Sequence, residues 1–319
     1  MNKRLVIMAL LLAPLNIAAA TRPVSTFSIV GFDSANGELG VAVASKYFAV
    51  GAIVPWAKSN VGAVATQSWV NADIGPMGLK MLHDDMSPQE IIDSLARADS
   101  MFDRRQVGII DSKGRAVTYT GKDCLSWAGG KIGASCAAQG NILVSEKVVN
   151  DMVSAFENTT GELSDRLMAA LLAGDSAGGD SRGKQSASLF VVKPSPGQIY
   201  DTKVDIRVDD HKEPFVELNR LYKMAKALSR LDLAYRMRMQ GDGEGAVSAA
   251  REAVELNPVL PETHYDLACY LSLAGKYDEA MKSLKTAIAI EPRFKNMAAG
   301  DQDLEALRKR ADFGELIGQ

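Results

Sequence analysis

An offset of 34 residues locks the last third of this chain onto itself. Leu233 matches Leu267, Ala234 matches Ala268, Gly241 matches Gly275, Ala246 matches Ala280, Ala253 matches Ala287 and Pro258 matches Pro292. Self-similarity at such a period means stacked units, none of which buries its apolar face alone. Small residues recur where helices would cross, a glycine falls in the turn and a proline ends each unit. Six matches in one register are too many for unrelated Ala-rich helices. Residues 212–319 are therefore expected to form an all-α helical-repeat domain. Glu213–Arg230 would bridge into it, and Asp303–Ile317 would cap its far end.

Ahead of the repeat, strand and helix patterns alternate. Thr26–Phe32 and Leu39–Ala44 read as a hairpin around the turn Asp33–Gly37, and Val61–Gln67 as a third strand. Ser87-Pro88-Gln89-Glu90 is a capping box opening a helix that runs through Ala98. Strands follow at Val107–Asp111 and Arg115–Thr120, then helices near Ser145–Glu157 and Glu162–Ala173. The glycine-rich loop Gly174–Lys184 leads into a strand at Ser186–Val192 and a last one ending at Val208. Strands on both sides of a helical block predict two packed sheets covered by helices over residues 26–211.

Met1–Ala20 has a basic start, a short apolar run and a small-residue end, the pattern of a secretory signal peptide. Its apolar part is too short for a stable membrane span, so the expected location is periplasmic or secreted. Net charge is −3, and no basic stretch is interleaved with aromatics, which argues against nucleic-acid binding. Of the three cysteines, Cys124 and Cys136 are expected to meet across neighbouring strands as a disulfide, with Cys269 a buried thiol. His83, His211 and His264 are scattered and no paired metal motif exists, so neither a metal nor any other cofactor is expected. Gly129-Gly130-Lys131 lacks the rest of a phosphate-binding loop. Trp56 and Trp69 read as core residues.

Several motifs carry a family resemblance. They are Ser45-Lys46-Tyr47-Phe48-Ala49-Val50-Gly51, Val54-Pro55-Trp56-Ala57, Gln139-Gly140-Asn141 and the run Gly178 to Ser186. Together with Thr26–Asp33 and Gly62–Trp69, they resemble the Ntn-hydrolase-like group called domain of unknown function 1028. The resemblance spans roughly Thr26 to His211 and implies an αββα sandwich of the Ntn-hydrolase type. The whole chain would then be α+β: that sandwich, followed by the all-α repeats, whose pattern resembles the tetratricopeptide repeat.

In an Ntn hydrolase a hydroxyl residue at the start of a strand becomes the N-terminus, and its own α-amine takes the hydroxyl proton. By that pattern Thr26 is the nucleophile, Lys46 a cation that tunes it, and Asp180 the group that orients the amine. Gln139 and Asn141, with Gln67 and Asn71, are candidate donors to an oxyanion or substrate, and Arg182 pairs with Asp180 or binds substrate. Cleavage after Ala20 would leave Thr21–Ser25 in front of Thr26, so a second cut is required. The expected activity is hydrolysis of an unidentified amide-containing substrate, with the repeats engaging a protein partner. The alternative is a binding or scaffold protein that keeps the sandwich without the chemistry.

Overall fold

The computed structural model describes residues 26–196 and 199–318; the expected signal peptide and residues 21–25 lie outside them. The described chain is a mixed α/β protein with two antiparallel sheets and ten helices. The first hairpin, β1 (Thr26–Asp33) and β2 (Glu38–Ser45), sits in the middle of a six-stranded sheet. Its other strands are β7 (Gly129–Gly133), β8 (Cys136–Asn141), β9 (Ser186–Val192) and β10 (Thr202–Val208), giving the order β10-β9-β2-β1-β8-β7. The second sheet has the order β3 (Pro55–Lys58), β4 (Gly62–Ser68), β5 (Arg105–Asp111) and β6 (Ala116–Thr120).

Side-chain alternation along the strands sorts the core into layers. Phe27 and Ile29 of β1, with Ala42 and Ala44 of β2, pack under α3 (Lys147–Asn158) and α4 (Leu163–Ser176) through Met152, Phe156, Leu167 and Leu171. The opposite face turns Val30, Val41 and Val43 towards Ala63, Ala65 and Ile110 of the second sheet. That sheet's outer face, with Val64, Val107 and Ile109, is covered by α1 (Ile74–His83) and α2 (Pro88–Ala98). The capping box at Ser87 and Glu90 is formed as expected, with the Ser87 amide donating to Glu90 at 2.8 Å.

The long helix α5 (Pro214–Met239) belongs to two cores. Its first half puts Phe215, Leu218 and Tyr222 against the six-stranded sheet and its helices. Its second half puts Ala227, Leu231 and Ala234 into the helical region. Lys226 and the Tyr222 hydroxyl both reach Asp165 of α4, at 2.8 and 2.7 Å. Although burial pushes the Asp165 carboxyl up, these two partners hold it below the usual range.

Beyond α5 come α6 (Gly243–Leu256), α7 (Pro261–Leu273) and α8 (Tyr277–Ile290). Both ends of α6 recur in α8 after 34 residues, as the sequence period demands. Gly241 and Gly275 close α5 and α7 with φ of 84° and 75°, a left-handed backbone that glycine takes without a Cβ clash. Ala246, Ala253, Ala280 and Ala287 are fully enclosed where the helices cross.

Several expectations are corrected. The segment Asp303–Ile317 is not one capping helix; it is broken into short turns and α10 (Ala311–Ile317), after the short α9 (Phe294–Gly300). Strands β3, β7 and β8 and helix α1 join the expected elements. Cys124 and Cys136 are both free, so no disulfide joins them. The Cys124 thiol sits against the Arg105 carbonyl at 3.4 Å, while Cys136 is inside the first sheet's core, where burial pushes its thiol up to about 12.

Candidate functional site

The space between the sheets is not uniform. One end is aliphatic, lined by Val30, Val41, Ala63 and Ile110. At the other end the same alternation brings inward Thr26 and Ser28 of β1, Ser45 of β2, Gln67 of β4, Gln106 of β5, Gln139 and Asn141 of β8, and Ser186 of β9. All of these are buried. Buried amides are costly unless each finds a partner, and here they find mostly each other. The Ser28 hydroxyl donates to Gln67 Oε1 at 2.6 Å and accepts from Gln139 Nε2 at 2.6 Å.

Gln106 is the hub of this network. Its Oε1 accepts from Gln67 Nε2 and from Asn141 Nδ2, both at 2.9 Å. Its Nε2 donates to the Gly140 carbonyl at 2.7 Å and to Thr120 Oγ1 at 2.9 Å. Room for Gln139 comes from Gly108 on β5, where a Cβ would lie 2.2 Å from Gln139 Oε1. That oxygen is buried and has no hydrogen-bond partner among the described residues.

Thr26 lies at the rim of this network. It pairs in register with Ser45 on one side and Asn141 on the other. Its hydroxyl donates to Ser45 Oγ at 3.3 Å, and its carbonyl accepts from Gln67 Nε2 at 3.2 Å. The Phe32 amide donates to the Ser135 carbonyl at 3.0 Å in the same register. Alternation along an antiparallel ladder then aims the Thr26 nitrogen at β8.

Asp180 organises a second cluster at this end of the molecule. Its side chain is only 1 % exposed and accepts from the Lys46 amide at 2.8 Å, from the Arg182 amide at 2.9 Å and from Arg182 Nη2 at 2.9 Å. Asp180 thus fastens the end of β2 to the loop after α4. A pocket of about 140 Å³ opens here, lined by Phe27, Ser45, Asp180, Lys184 and Phe215 among others.

The residues singled out from sequence therefore fall into three groups. Thr26, Gln67, Gln139 and Asn141 come together. Asp180, Arg182 and Lys46 form the neighbouring cluster, which meets the first through Ser45. Asn71 joins neither: half-buried after β4, it caps the Asp73 amide at 3.1 Å and accepts from Thr66 Oγ1 at 3.3 Å. Lys46 is also not a buried ammonium beside the Thr26 hydroxyl. The strand ends at Ser45, so Lys46 leaves the sheet, is exposed, and donates to the Lys184 carbonyl at 3.4 Å.

Gln106 and Ser28 were missed by the sequence reading. The signal for Ser28 is its alternation with Phe27 and Ile29. For Gln106 it would have been one more residue at the start of β5, keeping step with Gly108 and Ile110. Among the described residues the single group of metal-ligating side chains lies elsewhere, at Cys269, Asp301 and Asp303. No helix of the described residues is long and apolar enough to cross a membrane.

These features define a class: a two-sheet α/β protein with a hydrogen-bonded amide network between its sheets, continued by a helical region. The chain belongs to the family of unknown function DUF1028, which its residues 26–218 match. It is similar to the crystal structure of protein SPO2555 from Silicibacter pomeroyi, a protein of the same family, with 30% identity and a TM-score of 0.58. That likeness covers 63% of this chain and 86% of the other. None of the curated proteins matches the chain significantly.

Proposed function

We propose that this chain is the precursor of an exported N-terminal-nucleophile amide hydrolase. Helix, sheet, sheet and helix layers stacked in that order support an αββα sandwich of the Ntn type. The observation that carries the activity is the place of Thr26, whose inward-facing hydroxyl heads β1 at the polar end of the inter-sheet space. Here Thr26 follows Ser25, and its nitrogen is an amide directed at β8.

Hydrolysis of the Ser25–Thr26 bond would turn that nitrogen into an amine, the base that the threonine hydroxyl otherwise lacks. The amine takes the hydroxyl proton as Oγ1 bonds to the substrate carbonyl carbon. The tetrahedral adduct then expels the amine product, which leaves with that proton, and water cleaves the resulting ester to regenerate Thr26. Gln67, whose Nε2 donates to the Thr26 carbonyl, and Asn141, the partner of Thr26 across the ladder, are the side-chain amides for the developing oxyanion. Asp180 and Arg182 act as positioning residues, holding the end of β2 and with it Ser45. Lys46 takes no part, because its ammonium lies outside. The helical region, read as tetratricopeptide-like repeats, engages a protein partner.

The test is the N-terminus of the exported protein, by intact mass and N-terminal sequencing, with amide hydrolysis followed on a panel of acyl-amide substrates. A fraction should begin at Thr26 and alone be active, and Thr26→Ala should abolish the activity while leaving the far-ultraviolet spectrum unchanged. A population that always keeps residues before Thr26, with no activity that depends on Thr26, overturns the reading.

One observation favours the second reading, a non-catalytic scaffold. Gln67, Gln106 and Asn141 are already bonded to one another, a network that serves stability without any substrate.

A further inference from the structure

The helical region contains a second lined pocket, separate from the inter-sheet network. It has a volume of about 330 Å³ and opens between α5, α7 and the turn around Asp301. The 34-residue period builds it. Asp232 of α5 and Asp266 of α7 hold equivalent places in successive units, so the same helix face carries a carboxylate twice. Tyr235 and Tyr270 supply aromatic walls one helical turn from these carboxylates, and Tyr265, next to Asp266 in sequence, lines the pocket too.

Half of the pocket's acidic groups are already committed. Asp301 Oδ2 accepts from the Tyr265 hydroxyl at 2.8 Å and from the Cys269 thiol at 3.7 Å, and Asp301 Oδ1 caps the Asp303 amide at 3.0 Å. Asp303 pairs with Arg238 at 2.6 Å. The other half is not. Asp232 and Asp266 have no hydrogen bond or ion pair among the described residues, although Asp266 is partly buried. Tyr270 is 7 % exposed, and its hydroxyl also lacks a partner among the described residues while the ring lines the pocket. Burial and the nearby Glu262, Asp301 and Asp303 push the Asp266 carboxyl up to about 6, as expected of a carboxylate held without a counter-charge.

A pocket with unpaired carboxylates, an unpaired hydroxyl and aromatic walls suits a cation that carries an apolar or planar flank. A bare metal ion suits it less well. The atoms of Cys269, Asp301 and Asp303 lie within 4.8 Å of one another, but Tyr265 and Arg238 already occupy them, and the open volume exceeds that of an ion. We infer that this pocket binds the cationic side chain of a partner polypeptide, arginine in preference to lysine, between Asp232, Asp266 and the tyrosine rings. The inference deepens the reading of the helical region as a partner-binding module by naming the partner's chemistry.

The test uses the full chain labelled with ring-¹³C tyrosine and the capped peptides acetyl-Gly-Arg-Gly-amide, its Lys, Leu and Glu counterparts, and Zn²⁺ alone. The Arg peptide should shift the Tyr265 and Tyr270 signals saturably, assigned through Tyr→Phe variants, with Lys weaker and Leu and Glu without effect. Asp266→Asn should weaken the Arg peptide about tenfold and Tyr270→Phe about threefold, with both variants retaining the native helical spectrum. Binding of the Glu or Leu peptide as strong as that of Arg overturns the proposal, as does Arg binding unaffected by Asp266→Asn. Arg binding that leaves both tyrosines unshifted overturns this pocket but keeps the module reading. Tight Zn²⁺ binding with no response to Arg reassigns the site to a metal and overturns it too.

Discussion

The two regions of this protein fill their interiors by opposite means. Between the sheets, at the end near Thr26, side-chain amides from three strands are tied into one hydrogen-bonded set around Gln106. In the helical region the interior is made of small residues, Ala246, Ala253, Ala280 and Ala287, set where helices cross. The first interior is specified by direction, since each amide needs a partner at a particular angle. The second is specified by shape, since only a small side chain lets the backbones approach. A directional interior lends itself to chemistry once one member is changed, whereas a shape-based one makes a stiff support for a surface. α5 runs through both, with Asp165 of α4 gripping it at Tyr222 and Lys226.

Gln106→Leu should break the first interior most severely. It removes the acceptor shared by Gln67 and Asn141 and a donor to the Gly140 carbonyl, at a cost of about 3 kcal/mol or more. Hydrogen exchange followed by mass spectrometry should show faster exchange in β1, β4, β5 and β8 with α6–α8 unchanged; equal acceleration in both regions would erase the contrast. Ala280→Leu is the reciprocal change, forcing a larger side chain into a fully buried crossing for about 1–3 kcal/mol. Its effect should be confined to α6–α8, and a response in the sheets would mean the helical region is not a separate cooperative unit.

The smallest effect sharpens the comparison through pH. Asp266 has a folded-state pKa of about 6 against an ordinary 3.8, so the folded protein holds this proton more tightly than the unfolded chain. Its favourable contribution is complete below about pH 4 and is lost as pH rises through 6. Asp266→Asn should therefore stabilise the helical region by about 1–2 kcal/mol at pH 7.5, discounted for partial solvent exposure, and by nothing near pH 4. Thermal melts at the two pH values decide it. A variant equally stable with the parent at pH 7.5 would mean that the carboxylate is satisfied after all.

Elements with local signals were legible in the sequence. The hairpin of β1 and β2 ends within a residue of its expected bounds, because the turn at Asp33–Gly37 is written in turn residues. α2 starts at its capping box, and the helical region follows its period. Elements whose reasons lie elsewhere in the fold were not. β8 reads Cys-Ala-Ala-Gln-Gly-Asn, a weak strand former, and is a strand because β1 and β7 supply ladders on both sides. α1 contains Gly75, Pro76 and Gly78, which argue against a helix. Yet a Cβ at Gly75 would meet the Trp56 ring at 2.2 Å, so the glycine exists for that contact.

The same division holds for the candidate site. Thr26, Gln67, Gln139 and Asn141 carry chemistry that the sequence announced, and they converge because alternation is a local property of each strand. Lys46 falls one residue past β2 and Asn71 three residues past β4, where alternation no longer directs them inward. What the sequence by itself determined was the period of the helices, the first hairpin and the face on which each strand residue stands. Which inward residues meet was decided only by the tertiary structure. Ser28 finds Gln67 across 39 positions and Gln139 across 111, and Gln106 enters because β5 pairs with β4. The Ser28–Gln139 and Gln67–Gln106 contacts come from strands that pair in register, the Ser28–Gln67 bond from how the two sheets stack, and no local pattern encodes either.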